Sequence, residues 1–283
     1  MARVTTAGVM ISIAFGAALA ATYWWFVTTE AGQMLDASTF GSTEALRGEL
    51  EPLVRLARRA IPLAAVLAGG VAILAAAMRR RWAAAAWGAA LPVASYLLCL
   101  ALRDVLLPRP YLGDFAYDYN SFPSAHMAVT VASLATAYAL APRALQGWWT
   151  AVAMSIGASL AGIAQVASFA HRVSDVVGAA LLVGALGALW PLRRPAGGAG
   201  LIVLASATAL AAAAAVLVLA QWTDSGYSPE LQARANLGIV LAGLGASAAA
   251  FAACAGGRRP APEDRRAART EDTGVGRDGA GGA

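Results

Sequence analysis

The sequence contains no lysine; all 21 of its basic residues are arginine. Charge of either sign is scarce, at 13% of 283 residues, where an average soluble protein carries roughly 25%. Too few charges to coat a water-facing surface, together with 59% apolar residues, exclude a soluble enzyme and a disordered chain. Cysteine is limited to Cys99 and Cys254, which the topology below sets near opposite membrane faces. They cannot pair, so a disulfide scaffold is excluded and both read as small buried apolar residues. No internal repeat is apparent, and only two histidines occur, His126 and His171.

What the sequence has in abundance is long apolar runs. About 20 residues of helix cross a bilayer, and eight such runs lie near 7–27, 60–78, 82–102, 124–142, 148–168, 173–192, 199–221 and 236–256. Their interiors hold no charge, where one Arg or Asp would cost roughly 2.5–3.5 kcal/mol on insertion scales. With the amino terminus inside, the inner connections carry Arg3, Arg79-Arg80-Arg81, Arg143, Arg193-Arg194 and Arg258-Arg259. The outer connections carry most of the acids, among them Glu30, Asp36, Asp104, Asp114 and Asp118. This is a positive-inside pattern; Arg58 and Arg59, just before the second span, run against it. Tryptophans at the ends of the runs (Trp24, Trp25, Trp82, Trp148, Trp149, Trp190, Trp222) form the expected interfacial belt, and only Trp87 lies deeper. The predicted fold is therefore all-α: a polytopic membrane helix bundle of about eight transmembrane helices, with N and C termini cytoplasmic.

Four regions are expected along the chain. Residues 1–58 hold the first span and an outer amphipathic segment, with Leu46, Leu50, Leu53 and Leu56 at helical spacing. That segment reads equally as a helix on the membrane surface or a loop cap. Residues 59–195 form the transmembrane core, 196–257 a C-terminal transmembrane hairpin, and 258–283 a disordered cytoplasmic tail. The first run resembles a signal peptide at its Ala-rich 17–21 stretch, but it is too long for an h-region and ends in an aromatic pair, so it is expected to be retained.

Chemistry-bearing residues gather in three segments on the outer side. In Asn120-Ser121-Phe122-Pro123-Ser124-Ala125-His126 a capped helix start, with unpaired N–H groups and a serine hydroxyl, makes a ready anion site. In His171-Arg172-Val173-Ser174-Asp175 the i, i+4 spacing sets a carboxylate beside an imidazole, fixing its tautomer and freeing the other nitrogen as base or nucleophile. Third, Arg103 and Arg109 lie on the acidic side of the membrane, where topology does not explain them and guanidinium groups suit phosphate. An ordinary helix cap, a solvated ion pair and two interfacial anchors are the bland readings of the three. Taken together they fit phosphoryl transfer through histidine, with cations and helix N–H groups holding the phosphoryl oxygens.

At these residues the sequence resembles the type 2 phosphatidic acid phosphatase superfamily, which contains lipid phosphatases and vanadium haloperoxidases. Its motifs are Lys-x6-Arg-Pro, Pro-Ser-Gly-His and Ser-Arg-x5-His-x3-Asp. Here they appear as Arg103-x5-Arg109-Pro110, Pro123-Ser124-Ala125-His126 and His171-x3-Asp175, in order, over about residues 80–192. The resemblance implies that Arg103, Arg109 and Ser124 bind phosphate, with Ala125 in the same turn. It further implies that His126 is the general acid, His171 the nucleophile and Asp175 its orienting partner. It implies metal-independent hydrolysis with no cofactor. Motif one uses Arg for Lys and is one residue short, and Ala125 replaces Gly. Ala164 and Gln165 replace the Ser-Arg of motif three, so one guanidinium is missing, and Arg172 is the candidate to compensate.

The expected activity is hydrolysis of a lipid phosphate or pyrophosphate (polyprenyl pyrophosphate or phosphatidate-like) at the outer face of the cell membrane, through a phosphohistidine. The expected partners are that lipid and the bilayer, not nucleic acid. A loop at 111–119 could close over the headgroup or be an ordinary interfacial loop with aromatic anchors. The alternative of another class is a non-catalytic lipid-phosphate binder or transporter with a degenerate site, although transporters usually show broken polar helices at midplane. A vanadate-dependent oxidase suits a lipid-embedded chain poorly, and Asp104, Asp114 and Asp118 lack a compact spacing for metal.

Overall fold

An apolar run in lipid can satisfy its backbone N–H and C=O groups only within itself, so helix is what this composition dictates. The computed structural model describes residues 6–42, 51–114, 119–146 and 148–190, and shows helices and no strand among them. In chain order these are α1 (Thr6–Thr28), α2 (Glu30–Ser42), α3 (Glu51–Met78), α4 (Trp82–Ala101), α5 (Ala125–Leu140), α6 (Trp148–Ala167) and α7 (Val173–Leu189). A π-helical turn, Leu102–Leu106, extends α4. Four segments are long and apolar enough to cross a membrane: Gly8–Thr28, Glu51–Met78, Trp82–Leu106 and Trp149–Ala167. This is a helical membrane protein. The expected seventh and eighth spans and the tail lie outside the described residues.

The fourth and sixth expected spans differ from their sequence limits. α5 has 16 residues and α7 has 17, shorter than the roughly 20 of a full crossing. Both begin at a capped polar turn where expected and stop two or three residues short of the apolar run at their C-terminal ends, and both are buried along most of their length. They form the core of the bundle: α5 packs against α3, α4, α6 and α7, while α1 lies along α7. Small residues permit these close approaches. A Cβ on Gly69 of α3 would lie 3.1 Å from the Ser133 carbonyl oxygen of α5, and one on Gly88 of α4 would meet Leu140 Cδ1 at 2.7 Å. On the far side of α3, Leu63, Leu67 and Leu74 are exposed, as lipid-facing residues should be.

Part of the outer amphipathic segment can be followed. Residues 43–50 lie outside the described residues, but from Glu51 the chain runs as one helix to Met78. Residues 51–59 are continuous with the rest of α3. Pro52 lies in the first turn, where its missing N–H breaks no helical bond, and a Glu51–Arg55 ion pair of 2.5 Å supports the start.

Candidate active site at the start of α5 and α7

The sequence Asn-Ser-Phe-Pro-Ser begins α5 through a chain of side-chain hydrogen bonds. Asn120 Nδ2 donates to the carbonyls of Arg103 (2.8 Å) and Leu107 (2.7 Å), clipping this loop to the segment after α4. Ser124 is the N-cap, its Oγ accepting from Met127 N at 3.3 Å. The same hydroxyl donates to Gln165 Oε1 at 2.9 Å, and both side chains are buried. The Ser124 N–H donates to the Asp175 carbonyl at 3.0 Å, so the starts of α5 and α7 are tied together.

The turn from α6 to α7 presents His171. The Gln165 carbonyl accepts from the N–H groups of Ala170 (3.0 Å) and His171 (3.3 Å), which holds the turn closed. Arg172 is the N-cap of α7, and Asp175, at the third helical position, reaches back with Oδ2 to accept from Arg172 N at 2.9 Å. Asp175 Oδ2 also accepts from Ser121 Oγ at 2.6 Å and lies 3.5 Å from His171 Nδ1. Asp175 has no exposed surface, whereas the His171 side chain keeps 13%. The rings of His126 and His171 are 6.2 Å apart between centroids, with His126 the more exposed.

The other expected residues take distinct places. Arg103 donates through Nε and Nη2 to Asp104 at 2.7 and 3.2 Å, and remains near enough for its charge to bear on His126. Arg109 is half-buried in the extended stretch after the π-turn. That stretch is strapped down at its neighbours: Tyr23 Oη donates to the Pro108 carbonyl (2.6 Å) and Gln33 Nε2 to the Pro110 carbonyl (2.9 Å). Arg172 is fully buried, with Nη1 donating at 3.4 Å to the Tyr119 carbonyl and to Ser121 Oγ. Ala125 is buried in the first turn of α5. Of the acids weighed for metal, Asp104 is held by Arg103 and Asp114 accepts from Tyr111 Oη at 2.6 Å; Asp118 lies outside the described residues.

Three residues not singled out as site residues in the sequence reading join the cluster. Ser121 bridges Arg172 and Asp175. Asp36 of α2 is fully buried and accepts from Ser174 N at 3.1 Å and from Ser174 Oγ, capping a first-turn N–H of α7 from outside. Burial first, and the charge of Asp175 second, push the Asp36 pKa up to about 7. Arg58 of α3, together with His171 and Arg103, supplies the charges that bear on His126. A Ser next to a cap offered a faint signal for Ser121. Arg58 stood out only as a cation against the positive-inside pattern, and Asp36 left no local pattern, since it acts across a helix interface.

The model of the PAP2 superfamily matches residues 105–196. No match is found among curated proteins or solved structures.

Proposed function

With the chain a member of the PAP2 superfamily, we propose that it is a phosphatase that hydrolyses a lipid phosphate or diphosphate through a phosphohistidine. The observation that carries this is the His126–His171 pair, 6.2 Å apart, with the buried Asp175 carboxylate 3.5 Å behind His171 Nδ1. A carboxylate on that side keeps the proton on Nδ1 and leaves Nε2 as the nucleophile, and it stabilises the imidazolium as the bond to phosphorus forms. His126 stands opposite, placed to protonate the leaving oxygen and then to take a proton from the water that cleaves the phosphohistidine.

The phosphoryl oxygens fall to Arg103, Arg109 and the start of α5. Ser124 uses its hydroxyl on Met127 and Gln165, so its part in the anion site is to hold the turn whose Ala125 and His126 N–H groups face the ligand. Arg172, buried beneath, supports Ser121 and the α7 cap rather than touching phosphate in this reading. A lipid substrate follows from a site at one end of a bundle of membrane-crossing helices. The arginine run Arg79-Arg80-Arg81 at the other end of α3 argues that the site faces away from the cytoplasm.

The neutral Gln165, where the motif has arginine, favours one second reading: a lipid-phosphate binder that does not turn over. Phosphate release in detergent without added metal, from a polyprenyl diphosphate and from phosphatidate, separates the two. Wild type should release phosphate, and His171→Ala should lower the rate by roughly 10³-fold or more. Equal release by both forms overturns the mechanism, and lipid binding without release by any form supports the binder.

A further inference from the structure

Arg58 appears in the sequence as a cation on the wrong side of the membrane, and the structure gives it a position. The buried residues of α3 are Ala65, Gly69 and Ala76, one stripe at heptad-like spacing, and Arg58 precedes Ala65 by seven residues on the same stripe. Gly69 abuts Ser133 of α5, and Ile73 and Thr136 meet at Gly88, so α3 and α5 run parallel and in contact. Arg58 lies close to three whole turns before Gly69, and His126 close to two before Ser133. On regular helix spacing, with Pro62 between Arg58 and Gly69, both fall on the facing sides of α3 and α5, the Arg58 Cα about 6 Å beyond that of His126 along the axis at a rise of about 1.5 Å per residue. An arginine side chain spans that offset. Its charge does reach His126. Arg58 is exposed and makes no hydrogen bond or ion pair with a described residue.

The guanidinium on the His171 side, Arg172, is fully buried and committed to the Tyr119 carbonyl and Ser121 Oγ. On the His171 side, the position beside Ser124 is held by a neutral amide, Gln165. On the His126 side stand two guanidinium groups, Arg58 and Arg103. His126 is the group that serves the leaving oxygen. A monoester leaves as an alcohol and needs only a proton there. A diphosphate leaves as a lipid monophosphate, which carries charge of its own. We propose that Arg58 binds the departing phosphate and makes this a site selective for lipid diphosphates over lipid monophosphates. The inference rests on the phosphatase reading above.

The step balances as follows. His171 Nε2 bonds to the terminal phosphorus, and the bond from that phosphorus to the bridging oxygen breaks. The electron pair stays on the bridging oxygen, which takes the proton of His126 and leaves as the lipid monophosphate held by Arg58. Water then attacks the phosphohistidine, giving its proton to His126 and releasing inorganic phosphate and free His171.

The test compares kcat/KM for a polyprenyl diphosphate and the matching polyprenyl monophosphate in detergent. Wild type, Arg58→Gln, Arg58→Lys and Arg59→Gln are measured, the last altering a neighbour about 100° away around α3. Losing one charged contact to the leaving phosphate should lower the Arg58→Gln value on diphosphate by roughly 10- to 100-fold, leave monophosphate within about threefold, and be partly restored by Arg58→Lys. Arg59→Gln should keep the wild-type ratio. Equal loss on both substrates, no loss on either, or a wild type that prefers monophosphate overturns the inference while leaving the phosphatase reading intact. No release from either lipid by wild type, or release indifferent to His171→Ala, removes the phosphatase reading and this inference with it.

Discussion

The Asp36 carboxyl is fully buried against Ser174, and its pKa is raised from 3.8 to about 7 by burial and by Asp175. A carboxyl whose folded pKa is raised stabilises the fold below its unfolded pKa and loses that contribution as pH climbs through the folded value. The melting temperature in detergent should therefore fall between about pH 4 and pH 7 as Asp36 ionises. Asp36→Asn, which keeps an acceptor for Ser174 N–H, should flatten that slope; an unchanged slope would show that other groups set it. Asp175 answers to a different test. Asp175→Asn cannot receive the proton side of His171 Nδ1 as a carboxylate does, so kcat should fall by about 10²- to 10⁴-fold with KM little changed, read from steady-state phosphate release. His126, His171 and Asp175 were legible in the sequence because an i, i+4 pair and a helix cap are local patterns. Asp36 was not, because it meets Ser174 only when α2 docks on α7.

At the scale of elements, α3 and α5 pack along one another, most closely at Gly69. A Cβ at Gly69 would lie 3.1 Å from Ser133 O, a backbone atom that cannot swing aside. Gly69→Val must push the helices apart, at roughly 1–3 kcal/mol by the measure of overpacked cores, seen as a lower melting temperature. Because the same shift carries Arg58 away from His126, the diphosphate-to-monophosphate ratio of kcat/KM should fall as well. Helices as such were evident from the apolar runs, but their ends were not. The run at 124–142 stops at Leu140, and 173–192 at Leu189, since the run length reports hydrophobicity and not where capping begins or ends. α2 was read as connection because its 13 residues are too few for a span and include the polar Glu30, Gln33 and Asp36. Those polar groups are what bind Pro110 and Ser174. Trp87, the one tryptophan away from the belt, accepts at its carbonyl from Trp190 Nε1 (2.7 Å) and meets that ring edge-on, so it packs against a belt residue.

For the whole molecule, the sparse charge and the abundance of apolar runs pointed directly to a helical membrane protein, and four long apolar helices agree. The proposed membrane face of the site rests on arginine placement, and it can be probed with single cysteines in a Cys99→Ala, Cys254→Ala background. Leu112→Cys should react with a membrane-impermeant maleimide in intact cells, and Arg80→Cys only after permeabilisation; the reverse pattern would turn the site to the cytoplasm. In the proposed mechanism His171 Nε2 is the atom that carries the phosphoryl group. Rapid-quench digestion of wild-type protein turning over a polyprenyl diphosphate labelled in its terminal phosphate should yield an acid-labile phosphopeptide containing His171, absent from His171→Ala. Phosphate release at the wild-type rate with no label on His171 would contradict it.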